Sequence, residues 1–240
     1  MYIENRGLKE WIIDDTFEEE FFNKCGIFNI DKKKVKWYSQ QDEDKYIVQH
    51  ILKHKINDGV FLEMGALDGE SFSCTKTLEE NFNFSGILIE PLHTYFNTLK
   101  IKRPKCELYN LAISNSDNEY VRYTGNNGEA GIVDFLHENK FKNEYKVKNI
   151  KLSNLLKNSQ YKYIDIMIVD VEGAELEVIK SIDFNFPIYC IIFEAPSNQQ
   201  EKNKAVSDYL KQKGFKYKDR QRGNEVWYNP TYFRRDLFNL

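Results

Sequence analysis

The first residues that could do chemistry form an acidic, glycine-bearing segment at residues 63–69, at the end of a short apolar run at 59–64. Open α/β sheets bind ligands where their strands end, so this loop is a candidate nucleotide site. A dinucleotide loop needs the pattern G-x-G-x-x-G to meet a pyrophosphate, but here the middle glycine is missing and Asp68 would repel that anion. S-adenosylmethionine has no phosphate and carries an ammonium and a sulfonium, which Asp68 and Glu63 would attract.

Glu90 is the second candidate, because it ends an apolar run at 84–90, about 20 residues beyond the loop. An acid at this offset commonly binds the ribose hydroxyls of a nucleoside, and Pro91 then turns the chain away. The alternative is a surface acid at a strand end, although the strand-loop-helix-strand context is what the nucleotide motif requires. Further along, Ala112 and Ile113 would give an adenine ring apolar neighbours, or would simply belong to the core.

The third group consists of acids that follow two later apolar runs. Asp170 and Glu172 come after 163–170, and Glu194 ends 187–194. An acid here could orient a methyl donor, act as general base on a hydroxyl, or hold a divalent cation such as Mg²⁺. For Glu172 the alternative is helix capping, since acids at a helix N-terminus favour the dipole. For Glu194 the alternative is an ordinary strand-end residue. The candidate catalytic residues are therefore Asp170, Glu172 and Glu194, and no dedicated set of metal ligands is predicted.

Alternating apolar and helical patterns predict the elements that position these acids. Strands alternating with helices in short units predict a parallel sheet with helices on both faces. We predict one domain at 39–240, preceded by an N-terminal helical arm at 1–38 and interrupted by a substrate loop at about 114–160. The predicted strands are 59–64, 84–90, 107–113, 163–170 and 187–194, with an extra strand at 119–123 and a final hairpin from 215–219 and 225–228. The predicted helices are 42–55, 73–82, 92–102, 174–182 and 199–213.

Composition narrows the functional classes. The net charge of −3 and the pI of about 5.9 argue against partners that are nucleic acids or anionic membranes. The chain has no apolar run of about 18 residues that could span a bilayer, and its charged first residues are unlike a secretory signal. The four cysteines are widely spaced, which favours free thiols in a reducing compartment. We therefore expect a cytoplasmic protein.

With those residues in place, the chain resembles the FkbM-type methyltransferases from about residue 38 to residue 232. An ordered series of motifs carries the resemblance. Two positions depart from the family: Asp42 stands where SQ-x-GED commonly has glycine, and Cys74 stands where Ser-Asn-Thr has asparagine. The motifs are SQQDED (39–44), FLEMGALDGESFSCTKTLE (61–79), GILIEP (86–91), LAIS (111–114), GIVDF (131–135), IDIMIVDVEGAELEVI (164–179) and IIFEA (191–195).

The resemblance implies an α/β class I methyltransferase Rossmann-like fold, with a seven-stranded, mostly parallel sheet whose last strand is antiparallel. It implies S-adenosylmethionine-dependent O-methylation of a sugar, glycan or related hydroxyl. By position, the loop would hold the amino acid part of the donor, Glu90 the ribose, and Asp170 would border the methyl group, while Gln40 approaches from the arm. The donor-binding positions so implied are Gln40, Glu63, Gly65, Ala66, Asp68, Gly69, Ser73, Glu90, Pro91, Ala112 and Asp170.

Two alternatives stay open from the sequence. A non-catalytic Rossmann-like binding or assembly module would keep the fold without turning over an acceptor. A nicotinamide-dependent sugar-modifying enzyme would use the same fold, although Asp68 argues against it. We expect a small-molecule or glycan acceptor as partner, and no nucleic acid or membrane. The aromatic side chains of the arm (Trp11, Phe17, Phe21 and Phe22) suggest a homodimer formed through that arm.

Overall fold

The structure, a computed structural model, describes residues 35–52, 58–137 and 143–238. The strands, in chain order, are β1 (Val60–Met64), β2 (Ser85–Ile89), β3 (Glu107–Tyr109), β4 (Ala112–Ile113), β5 (Tyr120–Thr124), β6 (Gly131–Ile132), β7 (Glu144–Ile150), β8 (Ile164–Val169), β9 (Ile188–Glu194), β10 (Lys216–Gln221) and β11 (Asn224–Tyr228). The helices are α1 (Glu43–Tyr46), continued by a π-helical turn (Ile47–Ile51), α2 (Lys76–Phe82), α3 (His93–Lys102), α4 (Leu152–Asn158), α5 (Glu175–Lys180) and α6 (Gln200–Gln212), with a 3₁₀ turn at Arg235–Leu237.

Seven strands form one sheet in the order β10-β11-β9-β8-β1-β2-β3. Within this sheet, the five adjacent strands β9, β8, β1, β2 and β3 are parallel to one another. Strand β11 runs antiparallel to both of its neighbours, β9 and β10. This arrangement confirms the predicted class I methyltransferase fold with its antiparallel last strand. The chain builds outward from β1 on one side through β2 and β3, and on the other side through β8 and β9. Such a switch point opens a crevice at the carboxyl ends of β1 and β8.

Two apolar layers cover the two faces of this sheet, as predicted. Neighbouring residues of β1 point to opposite layers, Leu62 to one and Phe61 to the other, and all five residues of the strand are buried. Helices α4, α5 and α6 contribute Leu155, Val178 and Val206 to the first layer. The π-helical turn, α2 and α3 contribute Ile47, Leu78 and Leu99 to the second.

A second, four-stranded sheet in the order β4-β7-β5-β6 occupies much of the segment predicted as a substrate loop. The single strand predicted at 107–113 is divided between the two sheets. Asn110 makes the division, because its side-chain amide donates to the carbonyls of Glu90 and Pro91, at 2.8 and 2.9 Å, and so turns the chain out of the main sheet. The predicted interruption therefore contains β5, β6, β7 and α4.

The predicted arm lies mostly outside the described residues, which begin at Val35. The part that is described packs on the domain: Val35 and Tyr38 are buried, and the Tyr38 hydroxyl donates to Glu80 at 2.6 Å. Among the described residues, no helix combines the length and apolar character that crossing a bilayer requires.

Candidate active site

A cavity of about 470 Å³ lies at the carboxyl ends of β1, β2 and β8, under the second sheet. This volume suits a small-molecule site. Its walls include apolar side chains such as Met64, Ala112 and Ile132. Among the described residues, lysine, arginine and histidine are absent from the lining. Six acidic residues line the cavity: Glu63, Glu90, Glu129, Asp170, Glu172 and Glu194.

Glu63, the last residue but one of β1, lies in the cavity wall and anchors the segment that follows the strand. Its buried carboxylate accepts hydrogen bonds from the Ser73 hydroxyl at 2.9 Å, the Thr75 hydroxyl at 2.5 Å and the Cys74 N–H at 2.7 Å. Burial raises the pKa of Glu63, against the opposing effect of nearby Arg103 and of these donors. Because residues 73–75 turn toward Glu63, α2 begins at Lys76 and not at the predicted residue 73.

Arg103, just after α3, forms hydrogen bonds with the same segment, and sequence analysis missed it. The side chain is fully buried. It donates to the Gly69 carbonyl at 3.0 Å, to the Ser73 hydroxyl at 3.2 Å and to the Thr75 hydroxyl at 3.1 Å, and it pairs with Glu79. In the sequence, an arginine at a helix end resembles any surface arginine, so no pattern distinguished it.

Asp68 does not line the cavity. Its carboxylate accepts from the N–H groups of Glu70 and Ser71, at 3.0 and 2.7 Å, and from the Lys102 ammonium at 2.7 Å. Although burial favours its protonated form, these hydrogen bonds hold the pKa of Asp68 below its usual range. Lys102 therefore already neutralises the charge that we expected to face a donor. Three further predicted donor positions, Ala66, Gly69 and Ser73, also lie outside the lining, and the donor contacts of all four stay predictions.

Gly65 brings the ends of β1 and β8 together. Its φ of +79° and its closeness to the next strand both require glycine, since a Cβ would lie 2.1 Å from the carbonyl oxygen of Asp170. The Gly65 N–H donates to the Ile89 carbonyl at 3.1 Å, which joins the loop to β2 as well. A ligand in the cavity can thus approach the backbone at the centre of the switch point.

Glu90 follows β2 and is held inside the cavity wall at 2% exposure. Its two carboxylate oxygens accept from the N–H groups of Leu67, at 2.8 Å, and of Leu92, at 2.6 Å. Burial raises the pKa of Glu90 to about 7, against the effect of these two donors. A carboxylate offers about four acceptor positions, so two remain for hydroxyl groups of a ligand. Pro91 and Ala112 line the cavity beside it.

The three predicted catalytic acids come together. Carboxylate oxygens of Asp170, Glu172 and Glu194 lie within 4.8 Å of one another. Register explains this, because Val169 and Phe193 are paired neighbours and the next residue of each strand is one of the acids. Helix α5 does not use Glu172 as a cap; it is Glu175 that accepts from the Gly173 N–H, at 3.0 Å, and pairs with Lys202. Glu172 instead lines the cavity.

Burial and mutual repulsion favour the protonated forms of this cluster. Burial first, and then the charges of Glu194 and Glu175, raises the pKa of Glu172 to about 7. Asp170 borders the open cavity but is otherwise surrounded by protein, and burial together with Glu194 and Glu172 raises its pKa well above the usual range. Burial and Glu175 raise the pKa of Glu194. A carboxyl group that titrates near neutral pH is suited to accept a proton.

Gln40 lines the cavity, as predicted, together with three residues that sequence analysis missed: Gln41, Phe72 and Cys74. The β10–β11 turn fixes Gln41, and with it the neighbouring Gln40, through two hydrogen bonds. The Gly223 N–H donates to the Gln41 side-chain oxygen at 3.1 Å, and the Gln221 amide donates to the Gln41 carbonyl at 2.9 Å. The contact spans about 180 residues of sequence, so no local pattern reveals it.

The family described as Methyltransferase FkbM domain matches residues 63–217, well over half of the chain. Among solved structures, an FkbM methyltransferase from Methylobacillus flagellatus KT is 11% identical, with a TM-score of 0.45, over 72% of this chain and 44% of its own. Fibrillarin from Aeropyrum pernix with natively bound S-adenosyl-L-methionine is 11% identical, with a TM-score of 0.42, over 72% of this chain and 66% of its own.

A fibrillarin pre-rRNA processing protein from Methanococcus jannaschii is 14% identical, with a TM-score of 0.44, over 76% of this chain and 71% of its own. This chain thus spans less than half the length of the solved FkbM methyltransferase. A comparison with curated proteins found no match. On the family match, which extends from the end of β1 into β10, the chain belongs to the FkbM methyltransferases, a family of S-adenosylmethionine-dependent enzymes.

Proposed function

We propose that this protein transfers a methyl group from S-adenosylmethionine to a hydroxyl oxygen of a neutral, sugar-like acceptor. The observation that carries the proposal is the acidic cavity at the switch point, which is lined by the cluster of Asp170, Glu172 and Glu194 and also by Glu90. The family match supports the methyl donor, and the charge of the cavity supports the class of acceptor.

The lining fits a cationic donor and not a dinucleotide. The described lining residues include no lysine, arginine or histidine that could pair with a pyrophosphate. A bound sulfonium and ammonium would instead favour the ionised forms of the six acidic side chains and would be stabilised by them. Glu90 would hold the ribose hydroxyls, Ala112 and Ile113 would pack on the adenine, and the exposed backbone at Gly65 would meet the amino acid part. This disfavours the nicotinamide-dependent alternative.

When bound, S-adenosylmethionine supplies a methyl group on a positive sulfur, and its transfer leaves S-adenosylhomocysteine. We assign to Glu172 the proton of the acceptor hydroxyl, which the carboxylate takes as that oxygen forms its bond to carbon. A pKa near 7 makes Glu172 a competent base at neutral pH. Asp170 and Glu194 would accept hydrogen bonds from the acceptor and so orient its oxygen. Phosphorylated or carboxylated acceptors would find no cationic partner among the described lining residues.

A divalent cation is the alternative use of the same three carboxylates, because Mg²⁺ prefers oxygen ligands. A cation there would lower the pKa of each acid, and Glu172 could then no longer act as the base. Activity that requires added magnesium and disappears with a chelator would favour this alternative. Activity that is indifferent to both supports proton transfer to Glu172.

We propose a cytoplasmic protein and a homodimer formed through residues 1–38, whose first 34 residues lie outside the described part. Light scattering on the full chain would give about twice its mass of 28.5 kDa for the dimer. A mass of one chain would rule the dimer out.

Calorimetric titration with S-adenosylmethionine and with NAD tests the donor. Only the methyl donor should bind. The substitution Glu90→Gln should weaken donor binding about 10- to 100-fold, because the hydrogen bonds to the ribose hydroxyls lose their charged acceptor. Glu201→Gln, an exposed acid of α6, is the matched control. S-adenosylhomocysteine formation should then occur with neutral methyl glycosides and not with sugar phosphates. Folded protein that binds NAD, or that binds no S-adenosylmethionine, would refute the proposal.

A further inference from the structure

Phe72 borders the cavity in a position that folding does not explain. It has a φ of +62°, which is rare for a bulky side chain. The side chain is 55% exposed, and it lines the cavity together with Gln40 and Gln41. Among the described residues, no aromatic ring stacks on it, and it belongs to neither apolar layer of the main sheet. A phenyl ring placed this way adds little to the core and carries backbone strain.

The backbone on both sides of Phe72 is fixed. Before it, the N–H and hydroxyl of Ser71 donate to Asp68 at 2.7 and 3.1 Å. After it, the hydroxyl of Ser73 donates to Glu63 at 2.9 Å. A bridge to Ser39 joins Phe72 itself to the segment that carries Gln40. The ring is therefore presented to the cavity before any ligand arrives, which lowers the entropic cost of binding.

Strained backbone is concentrated around this cavity. Of the six non-glycine residues with positive φ in the described part of the chain, Leu67, Phe72 and Glu172 line it. Residues in rarely populated backbone conformations cluster at functional sites, where surrounding contacts hold them. Glu172 is the proposed base, so Phe72 and Glu172 are two residues with strained backbone that line the same cavity.

We propose that the ring of Phe72 is a binding platform for the acceptor, packing against the C–H face of a cyclic, sugar-like molecule. The inference rests on the proposed function and names the group that completes its acceptor site. A pyranose has an apolar C–H face and hydroxyl edges, so it needs an apolar surface beside hydrogen-bond acceptors. Phe72 supplies the first, and Asp170, Glu172 and Glu194 supply the second. An open-chain polyol has the hydroxyls but no flat face.

Two substitutions separate the ring from the backbone that carries it. Phe72→Asn removes the ring and suits a left-handed backbone, because asparagine adopts positive φ more readily than phenylalanine. Phe72→Tyr keeps the ring. Phe233→Asn is the matched control, since Phe233 is 63% exposed and lies outside the cavity.

The experiment measures S-adenosylhomocysteine formed by the full chain from methyl hexopyranosides and from glucitol, with donor affinity by calorimetry and Tm by scanning fluorimetry. For the glycosides, Phe72→Asn should raise KM about tenfold or more, which corresponds to the loss of one ring contact. Donor affinity and kcat should change by less than about twofold, and Tm should not fall. Phe72→Tyr should restore the wild-type KM, Phe233→Asn should keep it, and glucitol should be a poor acceptor for every variant.

An unchanged KM in Phe72→Asn would overturn the inference. So would a lower Tm with weaker donor binding, because the ring would then be part of the fold. If glucitol were methylated as efficiently as the glycosides, the role of Phe72 as a platform would be refuted, but the proposed methyltransferase activity would not. Wild-type protein that binds the donor but methylates no glycoside would refute both this inference and the proposed acceptor class. Protein that binds no donor would refute the proposed function itself.

Discussion

Glu172 owes its place in the cavity to two successive left-handed residues. It has a φ of 53°, and Gly173 after it has a φ of 103°. Gly173 cannot be replaced without a clash, since a Cβ would lie 2.3 Å from the Phe135 carbonyl oxygen. This turn separates two acids that look alike in the sequence. Glu175 accepts a hydrogen bond from the Gly173 N–H at the start of α5, whereas Glu172 lines the cavity.

Replacing Glu172 by glutamine tests its assigned role as base. We expect kcat to fall about 10²- to 10⁴-fold, the usual contribution of a positioned base. In the wild type the ionised form is active, so kcat should rise as pH increases through about 7 and then level off. That rise should be absent from Glu172→Gln. The measurement is S-adenosylhomocysteine formation from pH 5.5 to 9.

Glu177→Gln is the control, because Glu177 pairs with Lys180 on α5 and does not line the cavity. It should retain the rate and the pH profile of the wild type. If Glu172→Gln kept the same rise near pH 7, another group would be responsible for it and the assignment would fail.

At the scale of elements, the loop between β1 and α2 depends on Arg103. This buried guanidinium joins α3 to Gly69, Ser73 and Thr75 and pairs with Glu79, whose side chain is 13% exposed. Arg103→Ala should lower the free energy of unfolding by about 3–5 kcal/mol, since it leaves a mostly buried carboxylate and several acceptors without their partner. Urea denaturation measures the loss.

Arg122→Ala is the comparison. Arg122 also pairs with two acids, Asp134 and Glu144, but its side chain is 56% exposed, so the change should stay within about 1 kcal/mol. Equal losses in the two variants would show that the Arg103 network does not stabilise the loop.

The segment before α1 meets the β10–β11 turn through two strained residues. Asp42 and Arg222 have φ values of 62° and 51° and form an ion pair. The left-handed conformation gives a physical reason for the glycine that FkbM-type sequences commonly have at this position. Asp42→Gly should change the free energy of unfolding by less than about 1 kcal/mol, because relief of strain offsets the loss of an exposed pair.

Asp42→Val should instead be destabilising by about 1–2 kcal/mol, since a β-branched residue is strained there. Arg222→Asn, which removes the pair and tolerates positive φ, should resemble Asp42→Gly. Thermal unfolding of the three variants checks this order. A valine variant as stable as the glycine variant would mean that the backbone relaxes and that φ is not the constraint.

At the scale of the whole molecule, the sequence predicts the main sheet well because its strands are buried on both faces. All six residues of β8 are buried, and five of them are apolar, which makes the strand recognisable in the sequence. The exception, Asp165, accepts hydrogen bonds from the Val60 N–H and the Tyr232 hydroxyl. The second sheet is harder to predict. In β7 mostly exposed polar residues alternate with Val147 and Asn149, and the partner strands lie well apart along the chain.

The candidate site divides in the same way. Acids at strand ends, such as Glu90 and Asp170, are predictable because the topology fixes where strand ends meet. Asp68 was expected to face the donor, but Lys102 pairs with it, and a partner 34 residues away is not visible in a local pattern. Phe72 and Gln41 line the cavity because of long-range contacts and backbone strain, which composition and periodicity do not report.

The acidic cavity also makes the stability of the unliganded protein depend on pH. Burial raises the pKa of Glu90 from its ordinary value of 4.5 to about 7 in the folded state. Between about pH 5 and 7 the unfolded chain has released this proton and the folded chain still holds it, so stability must fall as pH rises. Glu90 alone would contribute about 3 kcal/mol across this window, and Glu172 acts in the same direction.

We therefore expect the Tm of the unliganded protein to fall between pH 5 and 7.5, and Glu90→Gln to flatten that fall. The cationic donor favours the ionised carboxylates, so the increase in Tm caused by S-adenosylmethionine should be larger at pH 7.5 than at pH 5.5. Thermal unfolding with and without the donor across this range measures both effects. A Tm of the unliganded protein that rises with pH would mean that the carboxylates are ionised in the folded state. A positive group, such as a cation bound by Asp170, Glu172 and Glu194, would then have to offset their charge.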